Sequence, residues 1–349
     1  MRILLIKMSS MGDVFHTFPA LSDALAAIPG LKVDWVVEKS FAEIPTWHPA
    51  VDTVYPIELR KWRKSLFSGP TRQEIKAFFD EVNQTHYDLI LDAQGLYKSV
   101  WVGRRIRGSI SGFDLKSARE PLASLFYQHK YAVAKNQHAI LRLRQLFAQA
   151  LNYSFDDDQP IVYGLNTQAW SKPEVLPAEW EEKPYLVFLH GTTWETKYWP
   201  EEYWIELLNK VNKAGFKVVL PWGNDEEHER ALRLSDSLGN GHTPEVRVKT
   251  WVPEQALSLS TVAQVLKFSK GVVSVDTGLS HVAAALEVPM VVLYRVTDPK
   301  LVGADGSRVV HLQSPCAPLY LKRFAEPKQE ENSLKGLSVD LVYQALQLK

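Results

Sequence analysis

Residues 6–21 read IKMSSMGDVFHTFPAL, and this stretch decides the fold. It starts in an apolar, β-branched run, passes through a loop of small polar residues and continues, directly after Asp13, as an amphipathic run with helical spacing. Gly12 lets the backbone turn tightly, and the carboxylate of Asp13 can cap the exposed N–H groups at the start of the helix. Strand, tight loop and helix in this order form the first unit of a doubly wound α/β domain.

The same alternation continues along the first half of the chain. Short apolar runs and stretches of helical period predict strands at residues 3–8, 33–37, 53–57 and 89–92 and helices at residues 14–28, 72–85, 96–106 and 138–151. Strands that alternate with crossover helices form parallel sheets. We therefore predict one Rossmann-like domain over residues 1–153.

Residues 154–184 interrupt this pattern with four prolines and three consecutive aspartates, a composition typical of a linker. The alternation then restarts, with strands predicted at residues 184–191, 216–223, 271–277 and 290–296 and helices at residues 200–215 and 278–288. These patterns predict a second domain of the same kind over residues 185–335. Residues 314–336 are predicted to be surface loop. A last helix lies in residues 336–349, and packing back on the first domain is one arrangement open to it.

The composition limits the class of function. At 349 residues, 46% of them hydrophobic, the chain can fill two domain cores. Lys+Arg and Asp+Glu balance at 40 each, so nothing indicates a nucleic-acid partner. The net charge is nevertheless +6 for residues 1–151 and −6 for residues 152–349. This asymmetry favours an anionic ligand on the first domain, with chance as the alternative explanation.

Cysteine usage and hydropathy bear on the compartment. The one cysteine, Cys316, excludes an internal disulfide, fits a reducing compartment and offers no Cys/His cluster for a metal. No signal-peptide pattern follows Met1, and no apolar run reaches the roughly 18 residues that a bilayer span needs. We therefore expect a cytoplasmic protein whose contact with a membrane is peripheral.

Two common nucleotide signatures are missing from the sequence. The first predicted strand is not followed by G-x-G-x-x-G, and the chain contains no G-x-x-x-x-G-K-[ST]. A dehydrogenase or a P-loop kinase is therefore not indicated. Because ligands of doubly wound sheets bind at the carboxyl ends of the strands, the loops after the strands are the places to look for chemistry.

Two features of the first predicted domain carry candidate chemistry. Asp13, at the carboxyl end of the first strand, can take a proton from an attacking hydroxyl, or it is only a helix cap. RKWRKSLFSGP, residues 60–70, interleaves four cations with apolar residues such as Trp62, which suits an anionic amphiphile or a membrane surface. A solvated charged loop is the alternative. The cations that can extend this patch are Lys98, Lys116 and Arg119.

Two loops of the second predicted domain suit a diphosphate. HGTTWETKYWP, residues 190–200, offers the hydroxyls of Thr192 and Thr193 and the charge of Lys197 at a helix start, with a solvated turn as the alternative. In VDTGLSHVAAAL, residues 275–286, Gly278 allows close backbone approach and the helix dipole favours an anion. His281, one turn into that helix, is more often a core histidine than a ligand.

Acids in the second predicted domain need other roles. A carboxylate at Asp276 is repelled by a diphosphate unless it caps N–H groups or accepts sugar hydroxyls, and we favour those roles over base catalysis. Thr277 is the other residue that can cap that helix. In LPWGNDEEHER, residues 220–230, Glu226 and Glu227 follow a strand, and such an acid can accept both hydroxyls of a ribose. Helix-start acids that complement the dipole are the alternative.

Six motifs together resemble the bacterial ADP-heptose:lipopolysaccharide heptosyltransferases of glycosyltransferase family 9. They are IKMSSMGDVFHTFPAL (6–21), LDAQGLYKS (91–99), SAREPLASLFY (117–127), HGTTWETKYWPEEYW (190–204), LPWGNDEEHE (220–229) and VSVDTGLSHVAAAL (273–286). The resemblance covers nearly all of residues 1–300. Six motifs in order at domain-wide spacing make it highly specific.

The resemblance implies a GT-B fold, in which two Rossmann-like domains face each other across a cleft, the first for the acceptor and the second for ADP-heptose. It implies an inverting transfer of L-glycero-D-manno-heptose to a Kdo hydroxyl of Kdo-lipid A at the cytoplasmic face of the inner membrane, without metal or cofactor. Asp13 matches the general base. The matching donor-side residues are Thr192, Thr193, Lys197, Glu227, Asp276, Thr277, Gly278, Leu279 and His281. The matching acceptor-side residues are Arg60, Arg63, Lys64, Lys98 and Arg119.

Some stretches depart from the family pattern. Arg295 and Val296 stand where relatives usually carry Gly-Pro, and residues 235–255 and the tail from Ser314 are longer than expected. Three other functions stay open: a family member that adds heptose to heptose, a sugar-nucleotide epimerase on the same scaffold, and a nucleotide-sugar-binding protein without turnover. SAREPLASLFY favours transfer to Kdo over transfer to heptose.

Overall fold

The computed structural model describes residues 1–180, 183–237 and 249–348. Contacts divide the chain into two compact units, Met1–Thr167 and Gln168–Lys349. The division falls within residues 154–184, the segment predicted as a linker. Residues 238–248, which belong to the unexpectedly long stretch 235–255, lie outside the described residues.

The first unit is built on a parallel sheet of six strands in the order β3-β2-β1-β4-β5-β6. Its strands are β1 (Arg2–Ile6), β2 (Lys32–Glu38), β3 (Val51–Ile57), β4 (Leu89–Asp92), β5 (Ile110–Phe113) and β6 (His129–Tyr131). Its α-helices are α1 (Met11–Phe15), α2 (Phe18–Ala27), α3 (Leu59–Lys64), α4 (Gly69–Val82), α5 (Tyr97–Gly103) and α6 (Ala139–Leu151). Short 3₁₀ turns span Lys39–Phe41, Ile44–Trp47 and Pro121–Phe126.

This strand order places the reversal of the sheet between β1 and β4. The two strands pair directly, Ile3 beside Leu89 and Ile6 beside Asp92, and their apolar side chains are fully buried or nearly so. The chain runs outward in opposite directions from these central strands, so the loops after β1 and β4 leave a crevice between them at the carboxyl edge, where ligands of such sheets bind. The predicted site residues Asp13 and Lys98 follow these two strands.

The helix predicted over residues 14–28 is two helices, α1 and α2. Pro19 lies in the first turn of α2. A proline has no N–H to donate to the carbonyl four residues earlier, here that of Phe15, and its ring collides with that carbonyl. The helix therefore stops at Phe15 and restarts at Phe18. The break leaves α1, which carries Asp13, as a separate turn.

Residues 154–167 pack within the first unit. The buried guanidinium of Arg144 in α6 pairs with Asp23 at 2.6 Å and donates to the carbonyl of Gln159 at 2.8 Å. Further along, the N–H of Asn166 donates to the carbonyl of Trp47 at 2.8 Å. This part of the predicted linker is therefore a packed continuation of the first unit.

The second unit repeats the topology with a parallel sheet in the order β12-β11-β10-β7-β8-β9. Its strands are β7 (Tyr185–Leu189), β8 (Lys217–Val219), β9 (Thr250–Trp251), β10 (Gly271–Val275), β11 (Met290–Tyr294) and β12 (Val309–Gln313). Its described α-helices are α7 (Glu201–Lys213), α8 (Asp225–Asp236), α9 (Leu259–Lys267), α10 (Gly278–Ala285), α11 (Pro299–Val302), α12 (Pro327–Asn332) and α13 (Val339–Ala345). Short 3₁₀ turns span Ala178–Trp180, Glu195–Lys197 and Ala317–Leu319. The α/β class with two doubly wound parallel sheets, predicted from the alternation, is confirmed.

The C-terminal helix α13 packs on the second unit. Its residues Val339 and Val342 are buried in the same core as the indole of Trp199, whose N–H donates to the carbonyl of Leu337 at 2.9 Å. Packing of this helix on the first domain, one arrangement open from the sequence, stays a prediction; within the second unit the helix lies beside α7. Residues 314–336, predicted as loop, also contain the short helix α12.

Candidate active site

The loop after β1 holds Asp13 between a cation and a pair of hydrogen-bond donors. Its Oδ2 accepts from the N–H of Ser10 at 2.8 Å and from the Ser10 hydroxyl at 3.1 Å. Its Oδ1 lies 3.3 Å from the Nζ of Lys7, and 27% of the Asp13 side chain stays exposed. Asp13 is the third residue of α1 and bonds back to the capping residue Ser10, so the predicted capping role is present and the carboxylate remains accessible.

These contacts set the protonation of Asp13. Burial by itself raises the pKa of a carboxyl, but the positive charge of Lys7, the electrostatic interaction with His16 and the hydrogen bonds from Ser10 outweigh it. The pKa of Asp13 is therefore lowered well below its usual range. The group is ionised at neutral pH, which is the form that can accept a proton.

Side chains of the loop after β4 hydrogen-bond to the loop after β1 and hold it in place. The side-chain amide of Gln94 accepts from the N–H of Met8 at 2.8 Å and donates to the carbonyl of Ser9 at 2.6 Å. Lys98 donates to the hydroxyl of Ser9 at 2.8 Å. The motif LDAQGLYKS thus supports the polar loop that carries Asp13.

A buried carboxylate, Asp92, shapes that supporting loop. It accepts from the N–H groups of Gln94 and Gly95 and, at 2.7 Å, from the hydroxyl of Tyr127. Burial raises the pKa of Asp92 against these hydrogen bonds. Gly95 has a φ of +66°, which favours glycine. Tyr127 belongs to SAREPLASLFY, so three of the recognised motifs meet at this one loop.

A cavity of about 540 Å³ opens beside this loop and is lined from the first unit alone. Met8 and Ser9 form one wall, Trp62 and Trp101 contribute aromatic surface, and Lys98 lies at the same opening. Partial burial is the main cause that lowers the pKa of Lys98, and the nearby charges of Arg60 and Arg119 act in the same direction. The cavity therefore combines an apolar wall with cations and with two carboxylates, Glu38 and Glu120.

The structure brings some of the predicted acceptor-side cations together and leaves others apart. Arg60, Arg63 and Lys98 line the cavity. Lys64 is exposed in the last turn of α3 and is not part of the lining. Arg119 is exposed and also outside the lining, although its charge reaches Lys98. The segment predicted as a cationic loop begins as a helix, α3, whose buried Trp62 donates to Glu74 at 3.1 Å.

Several apolar side chains of the first unit project into solvent, and one of them, Leu66, lines the cavity. Phe67 is 85% exposed and Leu66 is 44% exposed. Leu125 and Phe126, at the end of the turn that precedes β6, are 62% and 41% exposed, and the guanidinium of Arg104 lies over the Phe126 ring. No helix in the part of the chain that the structure describes is both long and apolar enough to cross a bilayer.

In the second unit, the corresponding loops after β7 and β10 meet at Asp276. Its Oδ2 accepts from the Nζ of Lys197 at 2.7 Å and from the hydroxyl of Thr297 at 2.7 Å. Thr192 donates its hydroxyl to the backbone carbonyl of Asp276 at 3.0 Å. Lys197 also lies over the ring of Trp194, 4.6 Å from its centroid. The carboxylate of Asp276 thus holds Lys197 and does not cap the helix that follows.

The other predicted donor-side residues surround this cluster. Thr277 is the N-cap residue of α10 without a side-chain capping bond, and Gly278 and Leu279 begin the helix, half-buried. Thr193 is exposed in the loop after β7. His281 is buried one turn into α10. Glu227 stands apart from Asp276, at the start of α8.

Glu227 is held where β8 turns into α8. Its Oε2 accepts from the N–H of Gly223 at 2.8 Å, while its own N–H donates to the capping residue Asn224 at 2.9 Å. A Cβ at Gly191 would lie 2.4 Å from Oε1 of Glu227, so the loop after β7 approaches this carboxylate only because residue 191 is a glycine. The helix-start role given as the alternative for Glu227 is thus present, and one carboxylate oxygen also faces the loop after β7.

Comparison with known proteins identifies this arrangement. The model of glycosyltransferase family 9 (heptosyltransferase) matches residues 75–332. The chain belongs to glycosyltransferase family 9. This family 9 glycosyltransferase is 47% identical over 341 residues to lipopolysaccharide heptosyltransferase 1 of Pseudomonas aeruginosa, and the match covers 97% of this chain and 91% of that one.

Solved structures agree with the family. Over 99% of this chain and 98% of the other, the glycosyltransferase is similar to the E. coli heptosyltransferase WaaC with ADP, at 44% identity and a TM-score of 0.85. It is also similar, over the same shares, to WaaC with ADP-2-deoxy-2-fluoro heptose, at 42% identity and a TM-score of 0.81. The family and the GT-B type of fold expected from the six motifs are therefore confirmed.

Several contributing residues of this glycosyltransferase did not emerge from the sequence. Lys7 contacts Asp13, and Thr297 contacts Asp276. Gln94 holds the loop that carries Asp13, and the ring of Trp194 lies under the ammonium group of Lys197. A charged residue directly after the last residue of an apolar strand was the signal available for Lys7. Within the described ranges, no three His, Cys, Asp or Glu side chains are grouped as metal ligands would be.

Proposed function

We propose that this glycosyltransferase transfers L-glycero-D-manno-heptose from ADP-heptose to a Kdo hydroxyl of Kdo-lipid A, with inversion at the anomeric carbon. The observation that carries the proposal is the ionised, partly exposed carboxylate of Asp13, in the same loop as Met8 and Ser9, which line a cavity that also contains Arg60, Arg63 and Lys98. The likeness to lipopolysaccharide heptosyltransferase 1 and to WaaC bound to ADP and to an ADP-heptose analogue supports this donor and this pathway.

On the acceptor side, the first unit offers positive charge to an anionic lipid. Kdo carboxylates and lipid A phosphates are the anions that guanidinium and ammonium groups bind through charge-assisted hydrogen bonds. The residues proposed for this role are Arg60, Arg63, Lys64, Lys98 and Arg119. The aromatic wall at Trp62 and Trp101 gives the sugar rings or the glucosamine backbone an apolar surface.

Asp13 is the proposed general base. The acceptor oxygen bonds to the anomeric carbon as its proton passes to Asp13, and the bond from that carbon to the β-phosphate oxygen breaks with its electron pair leaving on ADP. A carboxylate with a lowered pKa is a weak base, but an anionic acceptor bound among the neighbouring cations offsets their field. Acceptor binding therefore raises the pKa of Asp13 and strengthens it as a base when the hydroxyl arrives.

On the donor side, the second unit stabilises the departing ADP. Lys197, the hydroxyl of Thr193 and the N–H groups at the start of α10 suit the diphosphate oxygens. The residues of α10 in this role are Thr277, Gly278, Leu279 and His281. Thr192 takes part by joining the two loops, since its hydroxyl donates to the carbonyl of Asp276. Asp276 keeps Lys197 in place and reaches the heptose side of the donor, and Glu227 accepts the ribose hydroxyls.

Contact with the inner face of the cytoplasmic membrane follows from the acceptor and from the exposed apolar groups. Leu66 and Phe67 adjoin the cations Arg63 and Lys64, a combination that suits the interface of an anionic bilayer. Vesicles that contain anionic lipid are expected to bind the protein, and exchange of Leu66 and Phe67 for Ser is expected to weaken that binding in a sedimentation assay. Equal binding of the two proteins would contradict the proposed contact.

The decisive experiment is mass spectrometry of the product made from ADP-heptose and Kdo-lipid A, with NMR of the new anomeric centre. A product heavier by one heptose with inverted configuration supports the proposal. Product formed only from an acceptor that already carries heptose would favour the enzyme that adds heptose to heptose. Epimerised sugar nucleotide without acceptor, or ADP-heptose bound without turnover, would overturn the proposal in favour of the other two alternatives.

A further inference from the structure

Two departures from the family pattern, Arg295 and the long tail from Ser314, contact each other. The guanidinium of Arg295, only 4% exposed, donates through Nη2 to the hydroxyl of Ser333 at 2.6 Å and also donates to the carbonyl of Tyr198. The ring of Phe324 lies 5.1 Å from the same guanidinium. The hydroxyl of Ser314 donates to the carbonyl of Arg295 at 2.6 Å. Arg295 therefore anchors residues 314–333 to the end of β11.

The anchored segment passes over the loop that carries Lys197. Thr196 donates its hydroxyl to the carbonyl of Leu321 at 2.6 Å, which fixes the segment one residue before Lys322. The Nζ of Lys322 lies 5.3 Å from the centroid of the Trp194 ring, and the Nζ of Lys197 lies 4.6 Å from the same centroid. One indole thus positions two ammonium groups from different parts of the chain.

The two ammonium groups differ in their partners. Lys197 is paired with Asp276 at 2.7 Å, so much of its charge is compensated before any ligand arrives. Lys322 is exposed, and no carboxylate in ranges 1–180, 183–237 and 249–348 forms an ion pair with it. Its neighbour Tyr320 lies within electrostatic reach of Asp276: burial, with the charges of Asp298 and Asp276, raises the pKa of its phenol. The segment therefore brings an uncompensated cation to the candidate diphosphate site.

We propose that Lys322 is a second diphosphate-binding cation for the nucleoside diphosphate part of the donor, positioned by the tail that Arg295 anchors. The inference rests on the proposed function, which assigns the diphosphate to this site. A diphosphate carries several negative charges and gains another when it departs, so a single lysine already paired with a carboxylate leaves it under-neutralised. Lys322 supplies the missing charge.

The test is the affinity for ADP measured by calorimetry on the full chain. Lys322→Gln is expected to raise the Kd for ADP about tenfold, the change that one charge-assisted contact supplies. It is also expected to flatten the dependence of that Kd on salt concentration. Lys322→Arg is expected to restore most of the affinity. Lys328→Gln removes the same charge from the same tail, away from Trp194, and is expected to bind ADP as the parent protein does.

The role of Arg295 in anchoring the tail is tested by combining substitutions at Arg295 and Lys322. Arg295→Lys is expected to raise the Kd for ADP, and the double variant Arg295→Lys/Lys322→Gln is expected to be no weaker than the weaker single variant, because both changes remove one contact. Melting curves report whether the Arg295 variant folds. If the Arg295 variant does not fold, the Lys322 variants still test the proposal, because Lys322 is exposed.

Each outcome decides a different claim. If ADP binds the parent protein and Lys197→Gln weakens it, but Lys322→Gln matches Lys328→Gln in affinity and salt dependence, the inference is wrong and the proposed function stands. If the parent protein binds neither ADP nor ADP-heptose, the proposed function and this inference are both wrong.

Discussion

The two units contain the same ion pair and use it differently. In the first unit the Nζ of Lys7 lies 3.3 Å from Asp13, and 7% of the lysine side chain but 27% of the aspartate side chain is exposed. In the second unit the Nζ of Lys197 lies 2.7 Å from Asp276, and the exposed fractions are 15% and 11%. The accessible partner is the carboxylate in the first unit and, by a narrow margin, the ammonium in the second.

This difference separates two kinds of chemistry on one topology. Both pairs lie at the carboxyl edge of the central strands of a sheet with the same strand order. Where the lysine is buried, its charge keeps an accessible carboxylate ionised. Where the carboxylate is buried and also accepts from Thr297 at 2.7 Å, it immobilises the lysine that we propose binds the diphosphate. A doubly wound sheet thus supplies the place, and the two pairs differ most in the exposure of the carboxylate, 27% for Asp13 and 11% for Asp276.

Amide substitution of each aspartate is the strongest test of the different roles proposed for the two ion pairs. Asp13→Asn is expected to lower kcat by about a hundredfold to ten-thousandfold, because the proton of the acceptor hydroxyl loses its base, and to leave the Kd for ADP unchanged. Asp276→Asn is expected to raise the Kd for ADP by about tenfold, because Lys197 loses the partner that orients it, and to change kcat less. Steady-state kinetics and calorimetry on both variants are the measurements.

The reverse pattern would overturn this division. A normal kcat in Asp13→Asn would exclude Asp13 as the base. A loss of kcat without loss of ADP affinity in Asp276→Asn would move the chemistry to the second unit. Asp80→Asn, an exposed carboxylate of α4 paired with the exposed Lys76, controls for the general effect of removing a negative charge.

Much of the fold and of the candidate site was accessible from the sequence. The strands predicted at residues 3–8, 33–37, 53–57 and 89–92 are β1–β4, with ends displaced by at most two residues. β1, β2 and β4 are apolar and almost fully buried, so their composition alone marks them. β3 is a half-exposed edge strand, marked by its β-branched and aromatic residues. Asp13, Thr192, Lys197 and Asp276 follow central strands, and the rule that ligands bind there was enough to single them out.

Four of the described strands were not predicted: β5, β6, β9 and β12. β5 is buried but has only four residues, and β9 has two. The other two leave little signal in local composition. β6 has three residues, HKY, none of them buried, and β12 is an edge strand, VVHLQ, without a fully buried residue. Each forms a strand because the backbone N–H and C=O groups along the edge of the neighbouring strand pair with it. β6 pairs with β5, and β12 pairs with β11. Backbone pairing across many residues of sequence leaves little signal in the segment itself.

The same holds for the partners of the site residues. Thr297 is 21 residues from Asp276 and Gln94 is 86 residues from Met8, so only the packed structure shows which side chain supports which loop. Arg295 was visible as a departure from Gly-Pro and the tail from Ser314 as extra length. That the first anchors the second required the coordinates.

Removal of Lys7 tests whether its charge keeps Asp13 ionised. The measurement is the pH dependence of kcat/KM. In the parent protein the pKa of Asp13 is lowered, so the acid limb of kcat/KM that belongs to this group lies below the ordinary carboxyl range of about 4. Without the charge of Lys7, burial raises the pKa of Asp13 and the base is protonated at higher pH. Lys7→Met is therefore expected to move the acid limb upward by about one pH unit, so that activity is lost earlier as the pH falls.

The control for this shift keeps the charge. Lys7→Arg is expected to leave the acid limb at low pH, whatever it does to the absolute rate, because the guanidinium stays ionised throughout. An unchanged acid limb in Lys7→Met, with normal folding by circular dichroism, would mean that Lys7 does not set the protonation of Asp13.

The smallest effect is expected from substitution of Gly191, which lies against Glu227 in the second unit. This substitution tests whether Glu227 belongs to the nucleotide site. A methyl group at residue 191 would lie 2.4 Å from Oε1 and 2.5 Å from Cδ of Glu227, whose Oε2 is already held by the N–H of Gly223 at 2.8 Å. Gly191→Ala is therefore expected to push the carboxylate aside and to weaken ADP severalfold, with kcat close to that of the parent protein. At Gly223 a methyl group would lie 3.5 Å from Oε2, an ordinary contact, so Gly223→Ala is the matched control and is expected to bind ADP normally. Equal ADP affinity in the two variants would remove Glu227 from the nucleotide site and leave it as a helix-start acid alone, because the two glycines touch the same side chain and differ only in whether a methyl group displaces it.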